Sequence, residues 1–231
     1  MVSFLVSNPF PEDELFTILI QGDEAGELHL VHNEGPNQEW QFWYQQGKCN
    51  KPINGWDSVS SKGDVLLRSG QQCPLLFKFI SLREGVNESN QENQQPPQVL
   101  RPKKIKVTLV SRDQMPVQTL ELRVRPREQF CDQVFRYYEP QNTKAYLRLP
   151  KGFAPFFSLT KGMTVKTSNT ASFEAGLNYE TGEVYVMTQV PEHPPRAAST
   201  YVFLYADPHL STLLACCKVE VFAMQTQRLK V

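Results

Sequence analysis

The sequence predicts an all-β protein built as two tandem sandwich domains. Three observations carry that expectation. Short β-branched or alternating runs recur along the whole chain. Asn, Pro, Gly and Asp separate them, as turn residues do between strands. The runs also fall into two sets, one on either side of Pro126.

The first set opens with Val2–Val6, Leu15–Ile20 and Leu28–Val31, and continues with Val65–Leu67, Leu75–Ile80, Ile105–Val110 and Thr119–Val124. In Ile105-Lys-Val-Thr-Leu-Val110 the alternation is clean, placing Ile105, Val107 and Leu109 on one face. About seven strands are expected of an immunoglobulin-like sandwich. Residues 1–126 are therefore read as one such domain with long loops. The second set comprises Val134–Tyr138, Ala145–Leu149, Met163–Lys166, Ser172–Leu177, Glu183–Gln189, Tyr201–Tyr205 and Cys217–Phe222. Residues 127–231 are read as a second immunoglobulin-like domain, with Pro191–Pro195 a loop because prolines supply no ladder donors. Phe130–Tyr138 stays open, since Phe130, Val134, Tyr137 and Tyr138 also share a helical face.

Two insertions interrupt the first set. Glu84–Gln98 is rich in Glu, Asn and Gln and is expected to be a disordered hairpin loop. Asn33–Ser61 carries Trp40, Phe42, Trp43, Tyr44 and Trp56. As a helix it aligns Trp40, Trp43 and Tyr44. As a strand it aligns Trp40, Phe42 and Tyr44.

Composition narrows the function classes. Lys+Arg and Asp+Glu both number 24, so overall charge argues against a nucleic-acid binder. No apolar run approaches the roughly 20 residues of a membrane span. Met1–Asn8 lacks the basic start and long apolar stretch of a signal peptide, which points to a soluble intracellular protein. Five irregularly spaced cysteines, Cys49, Cys73, Cys131, Cys216 and Cys217, suggest no disulfide framework. His29 and His32 point to opposite faces of a strand-like run, so no metal site is expected, and no cofactor is implied. GxSxG, HExxH and GxxxxGK[ST] are all missing, and Glu12-Asp-Glu14 reads as an acidic turn. A non-enzymatic role is expected.

Three groups of residues remain as candidates for contact. Trp40, Trp43 and Tyr44 would fill the largest apolar patch a typical monomer exposes, so they are either buried or a binding surface. Arg101, Lys103 and Lys104 lie in a basic run suited to an acidic partner. The plainer reading makes these lysines guards at the start of an edge strand. Phe130, Phe135, Arg136, Tyr137 and Tyr138 are candidates for setting the interdomain angle, with core packing as the alternative.

Several segments carry a family resemblance. Phe4-Leu-Val-Ser-Asn-Pro9 is similar to the Asn-Pro start of immunoglobulin-like domains related to major sperm protein, and Leu66–Phe79 resembles the later part of such a domain. Asp132–Pro140, Leu147-Arg-Leu-Pro150, Tyr201–Asp207 and Val219–Met224 resemble the nephrocystin-4 family of ciliary scaffolds. The resemblance implies an internal stretch of a longer scaffold at the ciliary transition zone or basal body. It implies nephrocystin-1 and a C2-domain scaffold of the same zone as partners, and it carries over no contact residues. A carbohydrate-binding β-sandwich, stacking sugars on Trp40, Trp43 and Trp56, is the alternative.

Overall fold

A computed structural model describes residues 1–32, 39–49, 59–60, 62–82, 102–125, 131, 133–153, 160–192 and 197–224. The loop Glu84–Gln98, Trp56, Arg101, Pro126 and Phe130 lie outside the described residues. The chain divides into two compact units. One is formed by Met1–Ser81 with Val99–Arg127, and the other contains Glu128–Val231. Both are all-β sandwiches.

The first unit contains β1 (Val2–Ser7), β2 (Glu14–Gln21), β3 (Leu28–Val31), α1 (Glu39–Gln45), β4 (Asp64–Leu67), β5 (Gln72–Phe79), β6 (Lys103–Val110) and β7 (Pro116–Val124). One sheet runs β1-β5-β3 and the other β4-β2-β6-β7, with every pairing antiparallel. Alternation along each strand sends one set of side chains inward. Val6, Leu28, Leu75 and Phe77 from the first sheet meet Phe16, Leu67, Ile105, Val107 and Leu109 from the second in one apolar core.

Asn8 closes the end of β1. Its buried amide donates to the Glu12 carbonyl at 2.8 Å and the Leu67 carbonyl at 3.0 Å. Its Oδ1 accepts the Phe10 N–H at 2.8 Å. The Asn-Pro start is therefore a buried polar rivet, with the side chain's donor and acceptor both used.

The second unit contains β8 (Val134–Pro140), β9 (Lys144–Arg148), β10 (Thr164–Thr167), β11 (Phe173–Asn178), β12 (Glu183–Gln189), β13 (Ala197–Tyr205) and β14 (Leu213–Met224). Its sheets run β10-β13-β14-β8 and β11-β12-β9. Ala145, Leu147, Phe173 and Val186 face Val202, Leu204, Cys217, Val219 and Val221 across the core. One pairing differs in kind: β8 lies parallel to β14, with Val134 opposite Lys218 and Pro140 opposite Met224. Phe130–Tyr138, open between helix and strand, is thus a strand from Val134 onward.

Candidate partner-binding surfaces

The aromatic insertion resolves in favour of a helix. On β3 and β5, Val31 and Leu76 are register partners that point away from the main core, yet both are buried. α1 covers them. Trp40 and Trp43 pack on Val31 and Leu76 as a separate small cluster, retaining only 7% and 5% of their surface. The Trp43 Nε1–H donates to Glu39 Oε1 at 3.1 Å, and Glu39 also pairs with Lys78 on β5, stapling the helix to the sheet. Tyr44 stacks on Trp40 at 5.4 Å and is 40% exposed. Of the three candidate aromatics, Tyr44 alone offers a ring to solvent. The sugar platform loses two of its indoles to the protein's own packing.

The basic run separates into residues with different work. Lys103 Nζ lies 2.9 Å from both Asp23 and Glu27, whose side chains are 3% and 11% exposed, and 5.9 Å above the Phe79 ring. Burial acts to raise the Asp23 pKa, but the Leu28 N–H and the Lys103 ammonium outweigh it and hold the carboxyl below its ordinary range. Gly22 permits this clamp. Its φ is +78°, and a Cβ there would come within 2.5 Å of the Lys104 carbonyl oxygen.

Lys104 points outward, mostly exposed and 3.9 Å from Glu121. β6 is not the edge strand the basic run suggested: β7 pairs with it throughout and β2 from Lys106 onward, with Lys103 and Lys104 at its start laddered to β7.

The β8 residues also divide by face. Phe135 and Tyr137 turn inward and pack against the second core. The Tyr137 hydroxyl donates to the Arg148 carbonyl on β9 at 2.8 Å, and burial pushes its pKa up to about 12. Arg136 and Tyr138 turn outward. Arg136 Nε donates to Glu220 at 3.0 Å, and Tyr138 stacks on Phe222 at 5.3 Å. Phe135 and Tyr137 are thereby engaged in packing within their own sandwich.

A surface absent from the sequence reading lies on the outer face of β11-β12-β9. Tyr146 stacks on Tyr185 at 4.9 Å, and Tyr185 lies over Gly176, where even a Cβ would collide with the ring. With Leu177, Tyr179, Met187 and Lys161 they line an open depression of about 560 Å³. Tyr146 is 51% exposed and Tyr179 45%. The signal for it was the alternation Tyr185, Met187 along Glu183–Gln189, whose partners Val184 and Val186 face the core.

The Cys73 thiol is pushed up to about 11 by burial, and burial raises the Cys217 thiol as well. Both are poor nucleophiles in that state. Among the described residues no three His, Cys, Asp or Glu side chains converge as a metal site would require. No described helix is long and apolar enough to cross a membrane. No protein-family model matches the chain, and no curated protein matches it.

Proposed function

We propose that this chain is a non-enzymatic protein-interaction module of a ciliary transition-zone scaffold. The segments that resemble the nephrocystin-4 family support the ciliary assignment. The observation that carries the interaction role is the half-exposed Tyr146–Tyr185 platform, flanked by Tyr179, Leu177 and Met187. Tyrosines combine large contact area with a polar tip and are enriched where proteins meet. The opposite face of this sheet packs into the core through Ala145, Leu147, Phe173, Val184 and Val186, so the platform stands on an ordered backing.

The test is capture of nephrocystin-1 and the C2-domain scaffold from ciliated-cell lysate, using the whole chain as bait. The proposal expects both proteins to be retained. It further expects their loss with Tyr146→Ala and Tyr179→Ala together, in a bait whose circular dichroism is unchanged. Retention of neither by the unaltered chain would overturn the ciliary assignment. Undiminished retention by the double variant would move the contact off this face.

A further inference from the structure

The two units share one plan. In each, the last two strands form a hairpin inside the four-stranded sheet: β6–β7 in the first and β13–β14 in the second. β2 flanks the first hairpin as β10 flanks the second, and β1-β5-β3 corresponds to β9-β12-β11. The plans part at the far edge. β14 carries β8 in parallel, whereas β7 pairs with β6 alone among the described residues.

The side chains record the same difference. On β14 the inward residues Cys217, Val219 and Val221 are each 0% exposed. On β7 the inward residues Leu120, Leu122 and Val124 pack against the core but remain only partly buried. In the second unit Tyr137 of β8 reaches from this edge to the Arg148 carbonyl on β9. In the first unit, Gln118 of β7 itself reaches to the Leu5 carbonyl on β1, at 3.1 Å.

We propose that the edge of β7, unpaired among the described residues, accepts an extended segment of a partner protein, running parallel to it, apolar at alternate positions and acidic between them. β8 on β14 is the template for the direction and the alternation. Alternate backbone N–H and C=O groups of β7 face away from β6 and supply the ladder, while inward apolar side chains cover Leu120, Leu122 and Val124. The acidic preference follows from the outward face. Lys104 and Arg123 flank the single carboxylate of Glu121 and are mostly exposed, which leaves an excess of positive charge there. This deepens the interaction role proposed above by giving it a second contact and a class of ligand.

The probe is an acetylated peptide with the sequence Val134–Pro140, together with a version carrying Arg136→Glu. Binding to the full chain is followed by fluorescence anisotropy and by amide hydrogen exchange. The expected result is saturable binding, with exchange slowed at least about tenfold at alternate amides of β7. The Arg136→Glu peptide is expected to bind about threefold tighter. A peptide N-methylated along one edge is expected not to bind.

β7 amides already protected in the free chain would overturn the proposal, because the edge would then be occupied. So would slowing on β14 instead of β7, or equal slowing by a scrambled peptide. An acidic peptide that binds no tighter would overturn the charge preference. Failure here leaves the lysate capture free to succeed through the tyrosine face, so the two readings fail separately.

Discussion

The edge of β14 and the edge of β7 occupy equivalent places in their sandwiches and are finished differently. β8 closes the first by packing Phe135 and Tyr137 against the core, and Cys217, Val219 and Val221 of β14 lose all contact with water. The second is finished by Gln118 and a row of charges, and its inward leucines stay half-buried. In the first unit β4 is added beside β2, on the side of the sheet away from β7, whereas in the second β8 is added beside the last strand. Among the described residues each unit has seven strands, but only the second places one on that edge.

The largest test of the comparison is to remove what β8 inserts. Phe135→Ala with Tyr137→Ala should destabilise the second unit by about 4 kcal/mol, while the urea midpoint of the first stays put. Cys217 should then react with an aromatic disulfide reagent under conditions where it is inert in the parent. An inert thiol would mean that β8 contributes little to closure.

A paired truncation measures the difference in burial directly. Leu204→Ala, at a fully buried position, should cost about 3 kcal/mol, and Leu122→Ala on β7 about 1 kcal/mol. Equal losses in urea unfolding would show that β7 is as well covered as the strands of the second core.

The first unit leans instead on its Asn8 rivet. Asn8→Ala leaves the buried Leu67 carbonyl, the Glu12 carbonyl and the Phe10 N–H without their partner and should cost about 2 kcal/mol, read as a lowered midpoint of that unit alone. Gln118→Ala removes only a bond at an exposed edge, and a loss of about 0.5 kcal/mol is expected.

Titration sharpens the contrast without any substitution. Asp23 is held below its ordinary 3.8, so its contribution is present above that pH and is lost as acid carries it through the lowered value. Tyr137 is raised from 10.0 to about 12, so its contribution is complete below pH 10 and is lost as the pH rises toward 12. Acid acting through Asp23 should therefore weaken the first unit and alkali acting through Tyr137 the second, while Cys73, raised to about 11, adds an alkaline loss in the first and the lowered Glu220 an acid loss in the second. Circular dichroism melts at pH 3 and pH 11 check the assignment, with Asp23→Asn and Tyr137→Phe each expected to flatten one limb.

Much of this architecture is legible in the residues. Leu28–Val31 and Glu183–Gln189 carry the same bounds in the alternation and in the structure, and the remaining strands differ only at their ends. The period of two survives because one face of each sheet packs into a core, which fixes the side-chain pattern locally, while α1 adds a second cover over Val31 and Leu76. The helix across Trp40 was not decidable in the same way, since both periods align large aromatics. Val31 and Leu76 decided it, because two outward apolar residues on neighbouring strands need a cover. The basic run was misjudged for a similar reason. Whether a lysine-rich strand is an edge depends on strands far away in the chain, and β2 and β7 enclose β6.

By itself the sequence determined the all-β class, the two sets of strand-like runs and the inward face of Ile105, Val107 and Leu109. These follow from near-neighbour alternation and turn chemistry. Only the tertiary structure decided which strands become neighbours. Lys218 meets Val134 in a parallel register across most of the second unit, while β7 meets β6 alone among the described residues. Parallel pairing needs a long crossover, so neither strand carries a local mark of its partner. The occupied edge and the open one are products of packing, and the same alternating pattern is compatible with both.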